Sequence, residues 1–165
     1  LVDTVDTLSK SVLPDMSLQS ITVAPGLSEG RCTSLPNFVD IEAGKQGSQE
    51  ATDNAYRSLL EFLGLNDVIE YEIQPTPTNI YEIYEVVRKR PGSTYRFVGE
   101  NFQRVGAGET FGYVDDEPIV AEETFWPVLM SETGHEEIFG YKSRKLDHIG
   151  VNDSYTTSVD QTSVD

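Results

Sequence analysis

Residues 38–65 read FVDIEAGKQGSQEATDNAYRSLLEFLGL, and this stretch decides the fold class. Phe38 to Ala43 reads as a strand that ends at Gly44. Lys45, Gln46, Gly47 and Ser48 follow as a turn. Ser48 is a good helix N-cap, and Glu50 falls in the first turn, where the helix dipole favours a carboxylate. Tyr56, Leu59, Leu60 and Leu63 recur at i, i+3, i+4 and i+7, which predicts one apolar helix face. Gly64 then fits the residue just past the helix end. The stretch is therefore strand, turn, helix.

Toward the N-terminus the pattern is weaker. Val12-Leu13-Pro14 and Ile21-Thr22-Val23-Ala24-Pro25 are short apolar runs closed by prolines, and Ile21 to Ala24 predicts a buried strand. Gly26, Ser28 and Gly30 mark a loop. Beyond Asn66 the pattern changes. Pro75 and Pro77 flank a linker-like run. Ile80 to Lys89 is rich in Tyr, Ile and Val, which favour strands. Pro91-Gly92 predicts a turn and Thr94 to Val98 a returning strand. Thr110 to Val114 and Pro118 to Ala121 flank Asp115-Asp116, a predicted hairpin. Phe125 to Ser131 reads as a last long strand, with Pro127 placing it near an edge or bulge. The predicted fold class is thus an α/β segment followed by a mostly antiparallel β domain. The expected boundaries are 1–66 for the α/β part, 67–149 for the β domain and 150–165 for a flexible, Ser/Thr/Asp-rich tail.

The chain has 165 residues and a formal net charge of −16, from 28 acidic and 12 basic residues. Nucleic acid is an improbable partner, because phosphate binding needs clustered Lys and Arg. The dispersed acids fit either an ordinary acidic protein or a salt-adapted, halophilic one. One cysteine, Cys32, excludes an intrachain disulfide and agrees with a reducing cytoplasm. The start, Leu-Val-Asp-Thr-Val-Asp, does not read as a signal peptide, and no apolar run approaches a membrane span, so no membrane partner is expected.

Four residues are candidates for chemistry. Glu42 ends a predicted strand beside small residues and just before a helix. Ligands sit beyond such strand ends in open α/β sheets, and a carboxylate there is placed to move a proton. The plainer alternative is a solvated Glu, or one paired with Arg. Glu132 and His135 follow the strand-like run Phe125 to Ser131. His135 is read as an acid, a hydrogen-bond donor, a metal ligand or simply a surface histidine in an acidic loop. Arg31 lies in a Gly-rich stretch, where it either grips a substrate carboxylate or is a surface cation. His135 and His148 lie in different segments, and no H-E-x-x-H or comparable pairing exists. Gly106-Ala107-Gly108-Glu109 is a turn rather than a phosphate loop.

Two spans, Phe38 to Leu63 and Gly99 to Lys145, resemble the succinylglutamate desuccinylase/aspartoacylase family. Val39-Asp40-Ile41-Glu42-Ala43-Gly44 looks like the family strand that ends in Glu-x-Gly. Asn101 to Glu109 is similar to a loop and turn of its β domain. Phe125 to Glu132, with Phe139-Gly140-Tyr141-Lys142, resembles its closing segment. The resemblance implies a carboxypeptidase-like zinc fold with an appended β domain, acting on the amide of an N-acyl amino acid. In that scheme zinc polarises the carbonyl and activates water, and the residue at Glu42 shuttles protons. It further implies that Arg31, Glu132 and His135 contact substrate. His135 stands where the family often has a Tyr, which leaves the acyl-amino-acid specificity open. The family's zinc ligands come earlier in the chain, and nothing before Arg31 resembles them. Zinc is therefore expected in the complete enzyme, and none is expected to be held by this chain alone.

The competing reading is a non-catalytic β-rich module that binds a ligand or partner. The turn at Gly106 to Glu109 is also similar to turns of lipoyl-like barrels, but no Lys stands at the Asp115-Asp116 hairpin tip. If the neighbouring strands of the Glu42 segment are missing, an apolar helix face should be exposed. Homo-oligomerisation or rearranged packing of residues 1–66 is then expected.

Overall fold

The structure, a computed structural model, describes residues 16–18, 20–24, 40–44, 47–74 and 77–147. In chain order the elements are β1 (Ser20–Val23), α1 (Gln49–Leu65), β2 (Asn79–Arg88), β3 (Tyr95–Phe97), β4 (Thr110–Val114), β5 (Glu117–Val120), β6 (Trp126–Val128) and β7 (Ile138–Leu146). They form a four-stranded sheet in the order β1-β2-β7-β6 and a three-stranded sheet in the order β3-β4-β5. β1 runs parallel to β2, and all the other pairs are antiparallel. The predicted strand at Ile21 to Ala24 is present as β1, and it joins the sheet of the predicted β domain.

The β4–β5 hairpin forms where the sequence places it. Asp115 and Asp116 have φ of 50° and 66°. Two consecutive left-handed residues match the twist of the flanking strands, and Asp tolerates that conformation better than most residues. Asp115 Oδ1 also accepts the Thr94 N–H at 2.7 Å, tying the hairpin tip to the start of β3.

The run from Phe125 to Ser131 is neither long nor last. β6 covers only Trp126–Val128, and Leu129 leaves the strand with φ 49°. An edge position agrees with Pro127, which has no N–H to offer a further neighbour. β7 then occupies the sheet interior between β2 and β6. Its Lys142 and Arg144 lie opposite Glu85 and Glu82 in register and pair with them at 2.9 and 3.0 Å. Cross-strand opposite charges favour this register over a slipped one. Gly140 is required by close approach: a Cβ there would lie 2.5 Å from the Met130 Cα.

Between the two sheets lies a cluster of Tyr95, Val105, Phe111, Val114, Ala121, Phe125, Met130 and Phe139. Its rings meet tilted or edge-on, with Phe111 and Phe125 centroids 5.1 Å apart and Tyr95 and Phe139 centroids 4.9 Å apart. These are the arrangements that ring quadrupoles favour.

Helix α1 begins as expected. Ser48 Oγ accepts the Ala51 N–H at 3.1 Å, and Glu50 sits in the first turn. Its end lies slightly beyond Gly64. Asp67 takes the left-handed conformation, while the Asp67 and Val68 N–H groups close on the Gly64 and Leu63 carbonyls, as in a Schellman motif. Gly64 instead gives room to Tyr71, whose Cβ would stand 3.0 Å from an added methyl.

The packed face of the helix differs from the predicted one. Ser58 and Glu61 are buried, and Phe62 and Leu65 pack against Met16, Ile21 and Val23. Tyr56 and Leu59 are 64% and 53% exposed. Residues 58, 61, 62 and 65 keep the same spacing, but they are offset by two positions, or about 200° around the axis. Spacing could not choose between these ladders. Glu61 is accommodated because its Oε2 accepts the Ser17 N–H at 2.9 Å.

The predicted strand before the helix is the other correction. Phe38 and Val39 lie outside the described residues, and Asp40 to Ala43 belong to no strand. Among the described residues no strand runs beside this segment. The Ala43 carbonyl is instead satisfied by Asn54 Nδ2 at 2.9 Å, as a backbone acceptor requires.

Candidate functional site

Glu42 lies in this irregular segment and is exposed. Its neighbours hold it from both sides: Ile41 packs with the cluster that contains Ile80, and Ala43 is tied to α1 through Asn54. The segment that carries Glu42 is thus tied to the N-terminal half of α1, and Glu42 is not at a strand end. Arg31 lies outside the described residues, as does His148.

Glu132 and His135 share one loop, between β6 and β7, and both are exposed. The loop is built by side chains. Ser131 Oγ accepts the N–H groups of Thr133 and Gly134 at 3.2 and 3.1 Å. His135 Nδ1 accepts those of Glu137 and Ile138 at 3.1 and 3.2 Å. Two donors on Nδ1 assign the neutral ring its proton at Nε2. Nδ1 is thereby occupied, and the Nε2–H remains as the group that can donate outward. Glu132 Oε1 accepts the Phe97 N–H of β3 at 2.9 Å. Its own backbone N–H and that of Phe97 hold the Glu132 carboxyl below the usual range, with Lys89 and Arg96 adding to the effect.

The sequence-derived candidates are therefore not gathered into one cluster. Ile41 anchors the Glu42 segment near the start of β2, whereas the Glu132–His135 loop is fastened at Lys89, just past its end. Roughly 30 Å of strand separates these ends at about 3.3 Å per residue. Glu132 and His135 lie in the same loop, with their side chains bonded to different backbone groups, and neither meets Glu42 among the described residues.

Three contributors escaped the sequence reading. Lys89 donates from Nζ to the carbonyls of Glu132 at 2.5 Å and His135 at 2.7 Å. Asn101 brackets Met130, accepting its N–H at 2.8 Å and donating to its carbonyl at 3.1 Å. Arg96 stacks on Tyr113, 4.1 Å from the ring centroid, beside a surface depression of about 420 Å³ that Thr94, Asp115 and Asp116 also line. None of the sequence-derived candidates lines that depression. Contacts so distant along the chain leave no local signal.

Among the described residues no three His, Cys, Asp or Glu side chains converge as metal ligands. The described part of the chain therefore does not fit a resident zinc. No helix among the described residues is long and apolar enough to cross a membrane.

With this geometry in hand, the fold can be compared with known proteins. Among the described residues it is a mixed sheet flanked by one helix, with a second, antiparallel sheet packed on it. No protein-family model and no curated protein matches the sequence. Solved structures do. Succinylglutamate desuccinylase from Vibrio parahaemolyticus is similar at a TM-score of 0.54 and 16% identity, over 82% of this chain and 44% of that one. A putative succinylglutamate desuccinylase/aspartoacylase family protein from Shewanella amazonensis is similar at 0.50 and 14%, over 83% of this chain and 50% of that one. The chain thus carries part of the fold seen in these proteins and spans about half their length.

Proposed function

We propose that this chain is the C-terminal portion of a metal-dependent hydrolase that cleaves the amide bond of an N-acyl amino acid. The observation that carries this reading is the fold likeness over 82% of the chain to a succinylglutamate desuccinylase. The sequence resemblance over Phe38 to Leu63 and Gly99 to Lys145 points to the same family. In this reading zinc belongs to the complete enzyme and is held by residues other than those described. The chain alone is inactive, and the complete enzyme works in the cytoplasm.

Glu42 carries the proton: its carboxylate takes one from the attacking water and returns it to the departing amine. General acid–base groups of this kind contribute about 10²–10⁴-fold in rate. Arg31, Glu132 and His135 contact substrate. For one small substrate to meet both Glu42 and the Glu132–His135 loop, these two segments must lie closer together in the complete enzyme than they do among the described residues.

The test is an assay on a panel of N-acyl amino acids, with the chain alone and with the chain joined to whatever precedes Leu1 in its reading frame. The joined protein should hydrolyse at least one member, and Glu42→Gln should lower that rate about 10²–10⁴-fold with bound metal unchanged. A joined protein that cleaves nothing in the panel overturns the deacylase reading and leaves the β-rich binding module. Near-normal turnover in Glu42→Gln removes the role given to Glu42.

A further inference from the structure

Lys89 follows β2 directly and is tied to the β6–β7 loop at three points. Its backbone N–H donates to the Glu137 carbonyl at 2.8 Å. Its ammonium donates to the Glu132 carbonyl at 2.5 Å and to the His135 carbonyl at 2.7 Å. These acceptors lie 43 and 46 positions away in sequence, so the contacts depend on the completed sheet. An ammonium has three donors and no acceptor. Two of those donors are committed to carbonyls of the two loop residues that present side-chain chemistry.

Holding both carbonyls on one nitrogen fixes the spacing of Glu132 and His135 and the path of the chain between them. The other loop contacts then follow. Glu132 reaches back to the Phe97 N–H, and His135 turns Nδ1 inward onto the Glu137 and Ile138 N–H groups. The loop also carries Glu136 and Glu137 in a chain of net charge −16. A buttressing cation at its base offsets the repulsion among these acids without occupying the outward His135 Nε2.

We propose that Lys89 is a positioning residue. It sets the orientation of Glu132 and the tautomer of His135, and through them the affinity of the loop for an acceptor-bearing ligand, without touching that ligand itself. Its place in catalysis rests on the deacylase reading; its place in the loop does not.

The experiment compares wild type, Lys89→Met and Lys89→Arg in the full chain. The readouts are long-range ¹H–¹⁵N correlations of the His135 ring and amide exchange. Wild type should show the Nε2–H tautomer. Lys89→Met should convert it to a tautomer mixture and speed exchange at Glu137 and Ile138 by at least about tenfold. Protection at Glu82 and Arg144, farther along the same strands, should stay unchanged and so report an intact fold. Lys89→Arg, which keeps two donors in reach, should restore much of the tautomer signal. In the joined protein, Lys89→Met should raise KM for its substrate by about fivefold or more with a smaller change in kcat, the pattern of lost binding. An unaltered tautomer and unaltered exchange in Lys89→Met overturn the proposal. A joined protein without turnover defeats the deacylase reading alone, because the ring and exchange signals still decide the role of Lys89.

Discussion

Around β4, β6 and β7 the chain buries Phe111, Phe125, Met130 and Phe139, and the strands there find their partners within the described residues. Around α1 it buries Ser58 and Glu61 while Tyr56 and Leu59 stand in water. In the first region, apolar pattern and burial coincide. In the second they separate, because the helix carries two ladders with the same spacing and the sheet takes only one. A helix that carries Tyr56 and Leu59 on a face the described residues leave exposed has the chemistry of an element packed on two sides. The expectation of homo-oligomerisation or rearranged packing rests on this exposed face, and it remains a proposal.

The largest effect is expected in the β region. Phe139 is fully buried and meets both Tyr95 and Phe97. Phe139→Ala should cost about 3–5 kcal/mol in chemical denaturation, the usual price of an aromatic cavity. A loss below about 1 kcal/mol would mean that the two sheets do not share this core.

A smaller effect concerns Tyr84, which packs against the same core. Its hydroxyl is buried without a hydrogen-bond partner of good geometry. Burial, and then the Glu123 carboxylate, push its ionisation up to about 12. The folded state therefore holds this proton more tightly than the unfolded chain, whose phenol titrates near 10. The stabilising effect is fully present below pH 10 and is lost as pH rises toward 12. Tyr84→Phe should be nearly neutral at pH 7 and should flatten the alkaline decline. An identical decline in both proteins would show that Tyr84 does not cause it.

The least effect is expected on the helix. Leu59→Ser should change stability by no more than about 0.5 kcal/mol, as exposed positions do. A loss of 2 kcal/mol or more, or one that depends on protein concentration, would show that this face is covered in solution.

Legibility in the sequence followed how local each interaction is. The β4–β5 hairpin could be read because Asp115-Asp116 carries its own turn geometry. Ser48 could be read because its partner is three residues away. β7 was missed because Lys142, Ser143, Arg144 and Lys145 look like surface. Two of these cations are matched to Glu82 and Glu85 only once β2 lies alongside. The Glu42 segment misled because apolar alternation suggests a strand, but a strand exists only where a neighbour supplies hydrogen bonds. Of the candidate residues, Glu132 and His135 could be named from sequence as neighbours in one loop, while Lys89, which meets that loop across 43 and 46 positions, could not.

The parallel pairing of β1 with β2 bears on how the chain folds as it is made. Thr78 Oγ1 reaches the Leu18 carbonyl across 60 positions of sequence, just where the two strands meet. At about 5–20 residues per second of synthesis, β1 emerges roughly 3–12 s before its partner. Helix α1 forms on a microsecond scale once it is free. In the last part of that interval, once Leu65 has emerged, Ile21 and Val23 have the helix but no strand to cover them. Non-local strand pairing is also slow in itself. β1 therefore waits without a strand partner until Asn79–Arg88 leaves the ribosome, and the nascent chain is most exposed to mispairing just before that point.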